Sequence, residues 1–357
     1  MSDDVQYMRN ALALARTGLG RTWPNPVVGC VLVKDGHVVA RARTADGGRP
    51  HAENLTLQKV GENAKGVTAY VTLEPCAHEG ETPSCARLLI EAGVKRVVIA
   101  VLDPDMRTNG QGMSLLQQAG VEVFSGVLEQ EAFELNEGFF LHQLKQRPFI
   151  TLKTATTADG KIATATGQSK WITGEQARVR GHILRAQHDA IAVGVNTILE
   201  DDPSLTCRLE GANKFLVRIV FDTHGKLTGA EKIFDDVKNN PVWIITTAKE
   251  LNIVGVKILQ VSKNEAGYID IKEALQAITA EGITRLLVEG GATLMTSFLK
   301  EKLFDELHWF RAPSLIGADG LSAAQEMNIT DMRDVGTLAL KETLSLAKDQ
   351  LDIYKRA

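Results

Sequence analysis

The hydrophobic and polar positions in the first part of the chain change repeatedly between helical and strand-like patterns. Residues 4–17 carry apolar side chains at helical spacing up to Gly18, which predicts an amphipathic helix. Two short β-rich runs, 27–34 and 37–40, flank an Asp-Gly pair and predict a β-hairpin. Further helices are predicted at 51–60, 84–92 and 115–119, and further strands at 68–73, 97–101 and 121–124. Strands that alternate with helices indicate an α/β layer structure.

The pattern restarts near Arg147-Pro148. A chain of 357 residues exceeds what one hydrophobic core usually organises. We therefore expect two domains, at 1–146 and 147–357, with the boundary falling within 143–149. For the second domain, strands are predicted at 149–155, 190–195, 216–221, 242–246 and 285–288, and a helix at 176–186. We find no internal repeat and no low-complexity segment.

Composition and charge narrow the class of protein. Hydrophobic residues make up 44% of the chain and charged residues 24%, which is ordinary for a soluble globular protein. The net charge of -4 lacks the basic surplus that phosphate-based nucleic-acid binding usually needs. No apolar run approaches the roughly 20 residues of a membrane span, and the acidic start of the chain is not typical of a signal peptide. The 4 cysteines favour a reducing compartment over a disulfide scaffold. We expect a cytoplasmic protein with neither a nucleic-acid nor a membrane partner.

The strongest chemical signal is a set of zinc-type ligands. His51 and Glu53 open a predicted helix, Cys76 follows a predicted strand, and Cys85 lies at the start of another predicted helix. A catalytic zinc takes three protein ligands and leaves the fourth position to water, whose pKa it lowers toward neutrality. Glu53 suits the transfer of the water proton to the ring and the leaving amine. The arrangement matches the signature of zinc deaminases that act on nucleobases.

Two features of this region leave alternatives open. A structural zinc site would take four protein ligands, and His78 or Cys30 could supply the fourth. The two cysteines are also farther apart than in the commonest signature, which has two residues between them. The longer loop leaves room for His78, Glu81 and Thr82 to reach a substrate beside the metal.

These segments resemble the bifunctional deaminase–reductases of riboflavin biosynthesis. The resemblance rests on NPVVGC at 25–30, PHAE at 50–53, TLEPCAH at 72–78 and TPSC at 82–85. It implies a cytidine-deaminase-like α/β/α domain in which His51, Cys76 and Cys85 bind zinc and Glu53 shuttles the proton. It also implies the substrate, a diaminopyrimidinone that carries a ribosylamino phosphate. By the same resemblance, Asn25 anchors the pyrimidine and His78 lies near it; His78 could equally stabilise its loop.

The chain departs from this family at two places. Many relatives have a histidine, associated with the substrate phosphate, seven residues before the zinc histidine, whereas this chain has Thr44. Arg41, Arg43 and Arg49 surround that position, and a guanidinium suits a phosphate. The stretch 103–105 reads Asp-Pro-Asp instead of the more usual Asp-Pro-Asn.

The second half carries weaker signals. It has no G-x-G-x-x-G fingerprint, so a Rossmann fold is not indicated. Three segments are notable: TADGKI at 157–162, DDP at 201–203 and VEGGAT at 288–293. In the last, glycines let the backbone approach a ligand, and amides at a helix start attract phosphate. Taken singly, each segment fits an ordinary tight turn better.

Together these segments resemble the reductase domain of the same family, which has a dihydrofolate-reductase-like fold, from about Pro148 to the end of the chain. The resemblance implies that NADPH contacts Ala155, Trp171, Thr197, Asp201 and Thr223, and the phosphate-cradling run Gly291, Ala292, Thr293, Leu294, Met295, Thr296 and Ser297. It places the substrate near Ser169, Arg185, Leu205, Arg208 and Glu289. Lys153, on the strand that faces the Asp-Gly turn, is expected near the reacting sugar. Arg185 could instead pair on a helix surface, and Trp171 could pack in the core.

The expected chemistry is deamination of the pyrimidine, followed by hydride transfer from nicotinamide C4 to ribose C1′, which gives a ribityl product. Asp201, Lys153 and Glu289 are the candidates for a general acid. One rival is a nucleoside or tRNA-type zinc deaminase with an unrelated C-terminal domain. Others are a non-enzymatic zinc-stabilised binding protein and a chain with one degenerate half. The resemblance also implies a homodimer through the reductase half.

Overall fold

The computed structural model describes residues 3–78, 83–105, 109–210 and 216–356. The chain divides into two compact units, Met1–Arg147 and Pro148–Ala357. Among the described residues, none of the helices combines the length and the apolar character needed to cross a bilayer.

A five-stranded sheet with the order β2-β1-β3-β4-β5 forms the centre of the first unit. Its strands are β1 (Gly29–Lys34), β2 (His37–Arg43), β3 (Thr68–Leu73), β4 (Arg96–Val101) and β5 (Glu122–Ser125). β1 pairs antiparallel with β2 and β3, whereas β3, β4 and β5 are parallel to one another. β3 and β4 are buried along nearly their whole length, which explains why they are almost continuous apolar runs in the sequence.

Helices pack against this sheet. They are α1 (Asp3–Arg16), α2 (Ala52–Val60), α3 (Cys85–Glu91), α4 (Gln111–Gln118), α5 (Glu129–Leu135) and α6 (Glu137–Lys145), with a 3₁₀ turn at Gly61–Ala64. The predicted first helix and the predicted hairpin are confirmed. α1 approaches β1 so closely that a Cβ atom at Gly29 would lie 2.0 Å from the carbonyl oxygen of Ala11. Glycine is therefore required where the strand begins.

The second unit contains a nine-stranded sheet with the order β11-β10-β9-β8-β12-β6-β13-β16-β15. Its strands are β6 (Phe149–Thr157), β8 (Ala190–Gly194), β9 (Val217–Phe221), β10 (Val242–Thr246), β11 (Lys257–Gln260), β12 (Arg285–Val288), β13 (Glu306–Ala312), β15 (Leu338–Leu346) and β16 (Asp349–Arg356). A separate pair is formed by β7 (Lys161–Ala163) and β14 (Leu321–Ser322). The helices are α7 (Glu175–Ala186), α8 (Val195–Asp201), α9 (Ile271–Ala280) and α10 (Ala292–Lys300), with 3₁₀ turns at Lys232–Phe234 and Met332–Asp334.

The strands from β11 across to β13 are parallel, and β16 and β15 add an antiparallel edge. The carboxyl ends of the parallel strands consequently lie along one edge of the sheet. Segments that follow β6, β8, β9 and β12 meet there, because these four strands are neighbours. In open α/β sheets this is the edge at which ligands bind.

Candidate functional sites

Three zinc-type ligands converge in the first unit. His51 directly precedes α2, Cys85 is the first residue of α3, and Cys76 lies shortly after the end of β3. The Nδ1 atom of His51 lies 3.3 Å from Cys85 Sγ and 3.8 Å from Cys76 Sγ. All three donor atoms lie within 4.8 Å of one another. The structure thus brings together the three residues that the sequence analysis proposed as metal ligands.

The spacing of these atoms suits a tetrahedral zinc ion. Bonds of about 2.1 Å to nitrogen and about 2.3 Å to sulfur place such ligand atoms about 3.6 Å apart, close to the distances found here. Hydrogen bonds from Cys85 and His51 lower the pKa of the Cys76 thiol to about 4. The hydrogen bond to Cys76, together with burial, raises the pKa of Cys85. A divalent cation that binds both sulfurs as thiolates would therefore displace a proton from Cys85.

Glu53 lies in the first turn of α2, beside this cluster. The residue is 3% exposed, and its Oε2 atom has no hydrogen-bond partner among the described residues. Burial raises the pKa of Glu53 to about 7, although the charge of His51 opposes this shift. Burying a carboxylate oxygen without a partner costs free energy. A carboxylate kept in this state beside metal ligands is suited to proton transfer.

Cys30 and His78 lie outside the three-residue cluster. Cys30 is fully buried in β1, and burial raises the pKa of its thiol well above the ordinary range. His78 lines the pocket beside the cluster. Within the described ranges the ligand group has three members, which leaves a fourth tetrahedral position for water, as in catalytic zinc sites. Glu81 and Thr82, which we expected near the substrate, lie outside the described residues.

A pocket adjoins the cluster and is lined mainly by polar side chains. Asn25, the proposed pyrimidine anchor, lies on its wall. Asp103 and Asp105 also line the pocket, a position that their sequence context does not predict. Burial raises the pKa of Asp103 to about 6. The position of both aspartates follows from topology, because they come after β4, the parallel neighbour of the strand that leads to Cys76. The remaining lining residues are Pro26, Val28, Thr44, Arg49, His51, Glu53, Leu73, Glu74, Cys76, His78 and Phe139.

The three arginines near Thr44 differ in their surroundings. Thr44 is buried, and its Oγ1 accepts a backbone hydrogen bond at 3.0 Å. Arg43 pairs with Asp46 at 2.7 Å, and Arg41 is exposed on β2. Arg49, unlike Arg41 and Arg43, lines the pocket. It is therefore the arginine of the three that is placed to meet an anionic group in that pocket.

In the second unit, Glu289 is the centre of a charged cluster. Arg185 donates to it twice, from Nε at 2.7 Å and from Nη2 at 2.9 Å, and Lys153 Nζ lies 3.8 Å from its Oε2 atom. Burial alone would raise the pKa of Glu289, but the charges of Arg185 and Lys153 lower it to about 2. Arg185 also donates to the carbonyl oxygen of Thr206 at 2.8 Å. The guanidinium is thus directed toward protein groups, and the predicted contact of Arg185 with the substrate stays a prediction.

The segment that carries Leu205 and Arg208 lies against α7. The backbone N–H of Arg208 donates to His182 Nδ1 at 3.3 Å, and the Cys207 thiol contacts the carbonyl oxygen of His182 at 3.4 Å. Leu205 is buried, whereas Arg208 is exposed. The structure therefore brings this segment to the helix that carries Arg185.

The residues predicted to contact NADPH mostly follow neighbouring parallel strands. Ala155 is on β6, Thr197 and Asp201 are on α8 directly after β8, Thr223 follows β9, and Gly291 follows β12. Because these strands are adjacent in the sheet, the residues lie along its carboxyl edge.

The start of α10 has the character of a phosphate site. Gly291 has a φ of 76°, and no side chain caps the helix. A Cβ atom at this glycine would lie 3.3 Å from Thr197 Oγ1. Uncapped first-turn amides of this kind attract an anion such as a dinucleotide phosphate. The side chains of Leu294, Met295 and Thr296 are buried, so contacts there would come from the backbone.

Ser169 and Trp171 lie on the connection between β7 and α7. Trp171 is 68% exposed, and the Arg178 guanidinium lies 4.8 Å from its ring centroid. Trp171 is thus not a core residue. Within the described part of the chain, the contacts found for these two residues are local. Their proposed roles toward substrate and cofactor stay predictions.

Two protein-family models match the chain. The cytidine and deoxycytidylate deaminase zinc-binding region matches residues 1–101, and the RibD C-terminal domain matches residues 148–346. These matches agree with the metal-ligand cluster in the first unit and the ligand-binding sheet edge in the second. They define the class of protein as a zinc-dependent deaminase joined to a reductase.

Curated relatives extend over nearly the full length. The riboflavin biosynthesis protein RibD of Aquifex aeolicus is 42% identical over 358 residues, which cover 99% of this chain and 98% of the relative. The chain belongs to the RibD family of riboflavin biosynthesis proteins. The Escherichia coli member is 38% identical over 360 residues, covering 97% of each chain.

Solved structures agree with this assignment. A deaminase/reductase from Thermotoga maritima matches with a TM-score of 0.90 at 34% identity, over 99% of each chain. One crystal form of Acinetobacter baumannii RibD matches with a TM-score of 0.90 at 36% identity, again over 99% of each chain. The expected fold, a cytidine-deaminase-like domain followed by a dihydrofolate-reductase-like domain, is confirmed, as are zinc and NADPH as cofactors. A nucleoside or tRNA-type deaminase with an unrelated appendage is not favoured.

Proposed function

We propose that the first unit deaminates 2,5-diamino-6-(5-phosphoribosylamino)pyrimidin-4-one and that the second reduces the ribose of the product to a ribitylamino phosphate. The observation that carries the proposal is the three-ligand cluster with the buried Glu53 beside it. The Oε2 atom of Glu53 has no hydrogen-bond partner among the described residues. The Thermotoga maritima protein is described as a deaminase of a diaminohydroxyphosphoribosylaminopyrimidine and a reductase of 5-amino-6-(5-phosphoribosylamino)uracil.

In the deaminase pocket, His51, Cys76 and Cys85 would hold the zinc ion. Bound zinc supplies Lewis acidity that lowers the pKa of a coordinated water toward 7. Glu53 accepts a proton through its free oxygen and returns it to the departing amino group. Water oxygen replaces nitrogen on the ring carbon, and ammonia leaves. Asn25 and Asp103 offer the donors and acceptors that orient the pyrimidine.

The phosphate of this substrate needs a cationic partner. Glu53, Asp103 and Asp105 make much of the pocket wall acidic, and Arg49 is the guanidinium that lines it. We assign the phosphate to Arg49, since a guanidinium binds phosphate through paired hydrogen bonds. The assignment gives the phosphate a cationic partner in a chain that has the buried Thr44 where many relatives have a histidine.

In the reductase unit, the carboxyl edge of the sheet holds the cofactor. The first-turn amides of α10 would hold one phosphate of NADPH, which when bound would provide the hydride for ribose C1′. Glu289 stays ionised at neutral pH, because its pKa lies near 2, so it orients Arg185 and Lys153 and accepts from sugar hydroxyls. Lys153 is then the group that donates a proton as the sugar ring opens.

Two finer features belong to the same proposal. The edge strand β15 is largely exposed, and Leu340 on it is 59% exposed, which supports a homodimer through the reductase unit. A monomeric mass by light scattering would contradict it. None of the 4 cysteines forms a disulfide, which supports a cytoplasmic location, and the net charge of -4 supports the absence of a nucleic-acid partner. Purification with periplasmic proteins after cell fractionation would contradict that location.

The direct test is to combine metal analysis of the purified chain with product analysis on the phosphorylated pyrimidine. We expect one zinc per chain, release of ammonia, and NADPH oxidation that starts only after ammonia release. NADPH oxidation without any ammonia release, or a metal-free active protein, would contradict the proposal.

A further inference from the structure

Glu74 is a buried carboxylate that the chemistry described above does not use. It lies directly after β3, two residues before Cys76, and is 3% exposed. Three backbone amides donate to it. Those of Gly110 and Asp103 reach Oε2 at 2.9 and 3.3 Å, and that of Met113 reaches Oε1 at 3.1 Å. Both oxygens are therefore engaged with one other segment of the chain.

That segment is the connection from β4 into α4. Gly110 is the residue that caps α4, and it has no side chain with which to do so. The first N–H groups of a helix lack partners within the helix, and a carboxylate at this end also interacts favourably with the helix dipole. Glu74 supplies the cap from the neighbouring strand. The two segments are in close contact, because a Cβ atom at Gly112 would lie 1.9 Å from the carbonyl oxygen of Pro75.

The described residues at the start of the same connection form part of one pocket wall. Asp103 and Asp105 line the pocket, and the N–H of Asp105 donates to Asp103 Oδ1 at 2.9 Å. Along the chain, Glu74 is followed by Pro75 and then by the metal ligand Cys76. The Glu74 side chain thus connects the pocket wall at Asp103 to the segment that carries the metal ligand Cys76.

We propose that Glu74 is a positioning residue for deamination. By holding the backbone at Asp103, it sets the distance between the substrate-facing wall and the metal-ligand cluster, and therefore where the reacting ring carbon lies. This inference rests on the proposed function of the pocket. Misplacement by about 1 Å can cost a reaction about a hundredfold in rate, so the effect of losing these contacts is measurable.

Glu74→Gln tests the inference with little change in volume. An amide can accept on one side only and presents an NH₂ group to the other backbone donor, so at least one of the three hydrogen bonds is lost. We expect kcat/KM for deamination to fall roughly ten- to hundredfold, mainly through kcat, because the bound ring carbon would be misplaced relative to the metal-ligand cluster. Zinc content and NADPH-dependent reduction of the deaminated intermediate should stay unchanged. Glu74→Asp keeps the negative charge on a side chain that is one methylene shorter. It should lower kcat/KM for deamination by a smaller factor than Glu74→Gln.

The decisive comparison is a double-mutant cycle with Asp103→Asn. If Glu74 acts through Asp103, Glu74→Gln should change kcat/KM by no more than about twofold in the Asp103→Asn background. Equal losses in both backgrounds, or loss of zinc in the Glu74 variants, would overturn the proposal. Tyr70→Phe is the control, since it removes a hydrogen bond from the same strand to Asp4 and should leave kcat/KM unchanged. If the unmodified chain fails to deaminate the pyrimidine, the proposed function is refuted as well. If the losses of kcat/KM from Glu74→Gln and Asp103→Asn are additive in the double variant, only this inference is refuted.

Discussion

Glu53 and Glu289 are both buried carboxylates, but their surroundings move their pKa values in opposite directions. Burial raises the pKa of Glu53 to about 7, which suits a group that takes up and releases a proton. At Glu289 the charges of Arg185 and Lys153 outweigh burial and lower the pKa to about 2. The sequence could predict that both glutamates matter, since each lies in a motif. It could not predict the difference, because Arg185 is more than 100 residues away along the chain from Glu289.

The lowered pKa of Glu289 predicts an acid-dependent loss of stability. Its folded-state pKa of about 2 lies below its ordinary value of 4.5, so the stabilisation it provides is complete above pH 4.5 and declines as the pH falls toward 2. Glu289→Gln should be less stable than the unmodified chain at pH 7, and the gap should narrow between pH 4.5 and pH 2. Urea unfolding at a series of pH values measures this. A gap that stays constant down to pH 3 would contradict the pairing.

Arg49 gives a second prediction for a single residue. Arg49→Ala should raise KM for the phosphorylated pyrimidine roughly ten- to hundredfold, the range expected when a hydrogen-bonded charge partner is lost. Arg41→Ala, an exposed arginine on the neighbouring strand, is the matched control and should have little effect. The difference should vanish with the dephosphorylated substrate. An equal KM increase for both substrates would show that Arg49 does not meet the phosphate.

At the scale of elements, several buried strands could be predicted from the sequence, because burial on both faces makes them continuous apolar runs. The apolar runs of β3, β4, β9 and β12 lie at central positions in their sheets, and all four were predicted within a residue or two. The missed strands include β13, which is mostly buried between β6 and β16, as well as β16 and the edge strand β15. β15 is exposed along most of its length, and a register shift between Leu340 and Glu342 interrupts the alternation of its leucines with other residues. Its partner β16 was missed with it. Neither α5 nor α6 was predicted, because both are short and lack a side-chain cap.

The candidate sites show the same limit. The zinc ligands were predictable because their spacing is local to two segments, His51 to Glu53 and Cys76 to Cys85. The wall at Asp103 was not, because its nearness to Cys76 depends on β3 and β4 being parallel neighbours. The cap that Glu74 gives to α4 likewise depends on packing between segments far apart in the chain.

The start of α10 carries a prediction that belongs to an element. Gly291→Ala places a side chain at a φ of 76° and 3.3 Å from Thr197 Oγ1, which should shift the first turn of the helix by strain of about 1–2 kcal/mol. We expect KM for NADPH to rise roughly five- to thirtyfold, the equivalent of that strain, with deamination unchanged. Gly267→Ala has a similar φ of 80° with nothing within 4 Å and serves as the control. An unchanged KM for NADPH in Gly291→Ala would contradict the proposal that the start of α10 binds the cofactor.

At the scale of the whole molecule, the chain joins two units with separate chemistry. The metal-ligand cluster and Glu53 lie in Met1–Arg147, while the parallel sheet edge and Glu289 lie in Pro148–Ala357. Each unit has its own buried apolar core. As in other members of the RibD family, the two units catalyse a deamination and a reduction in riboflavin biosynthesis. The account therefore requires that damage to one site leaves the other working.

Glu53→Gln tests this central claim most directly, with ammonia release, NADPH oxidation and zinc content measured on the same preparation. We expect zinc at one per chain, deamination reduced by at least about a hundredfold, and undiminished NADPH oxidation when the deaminated intermediate is supplied. Deamination at the normal rate, or loss of both activities with zinc still bound, would contradict the account.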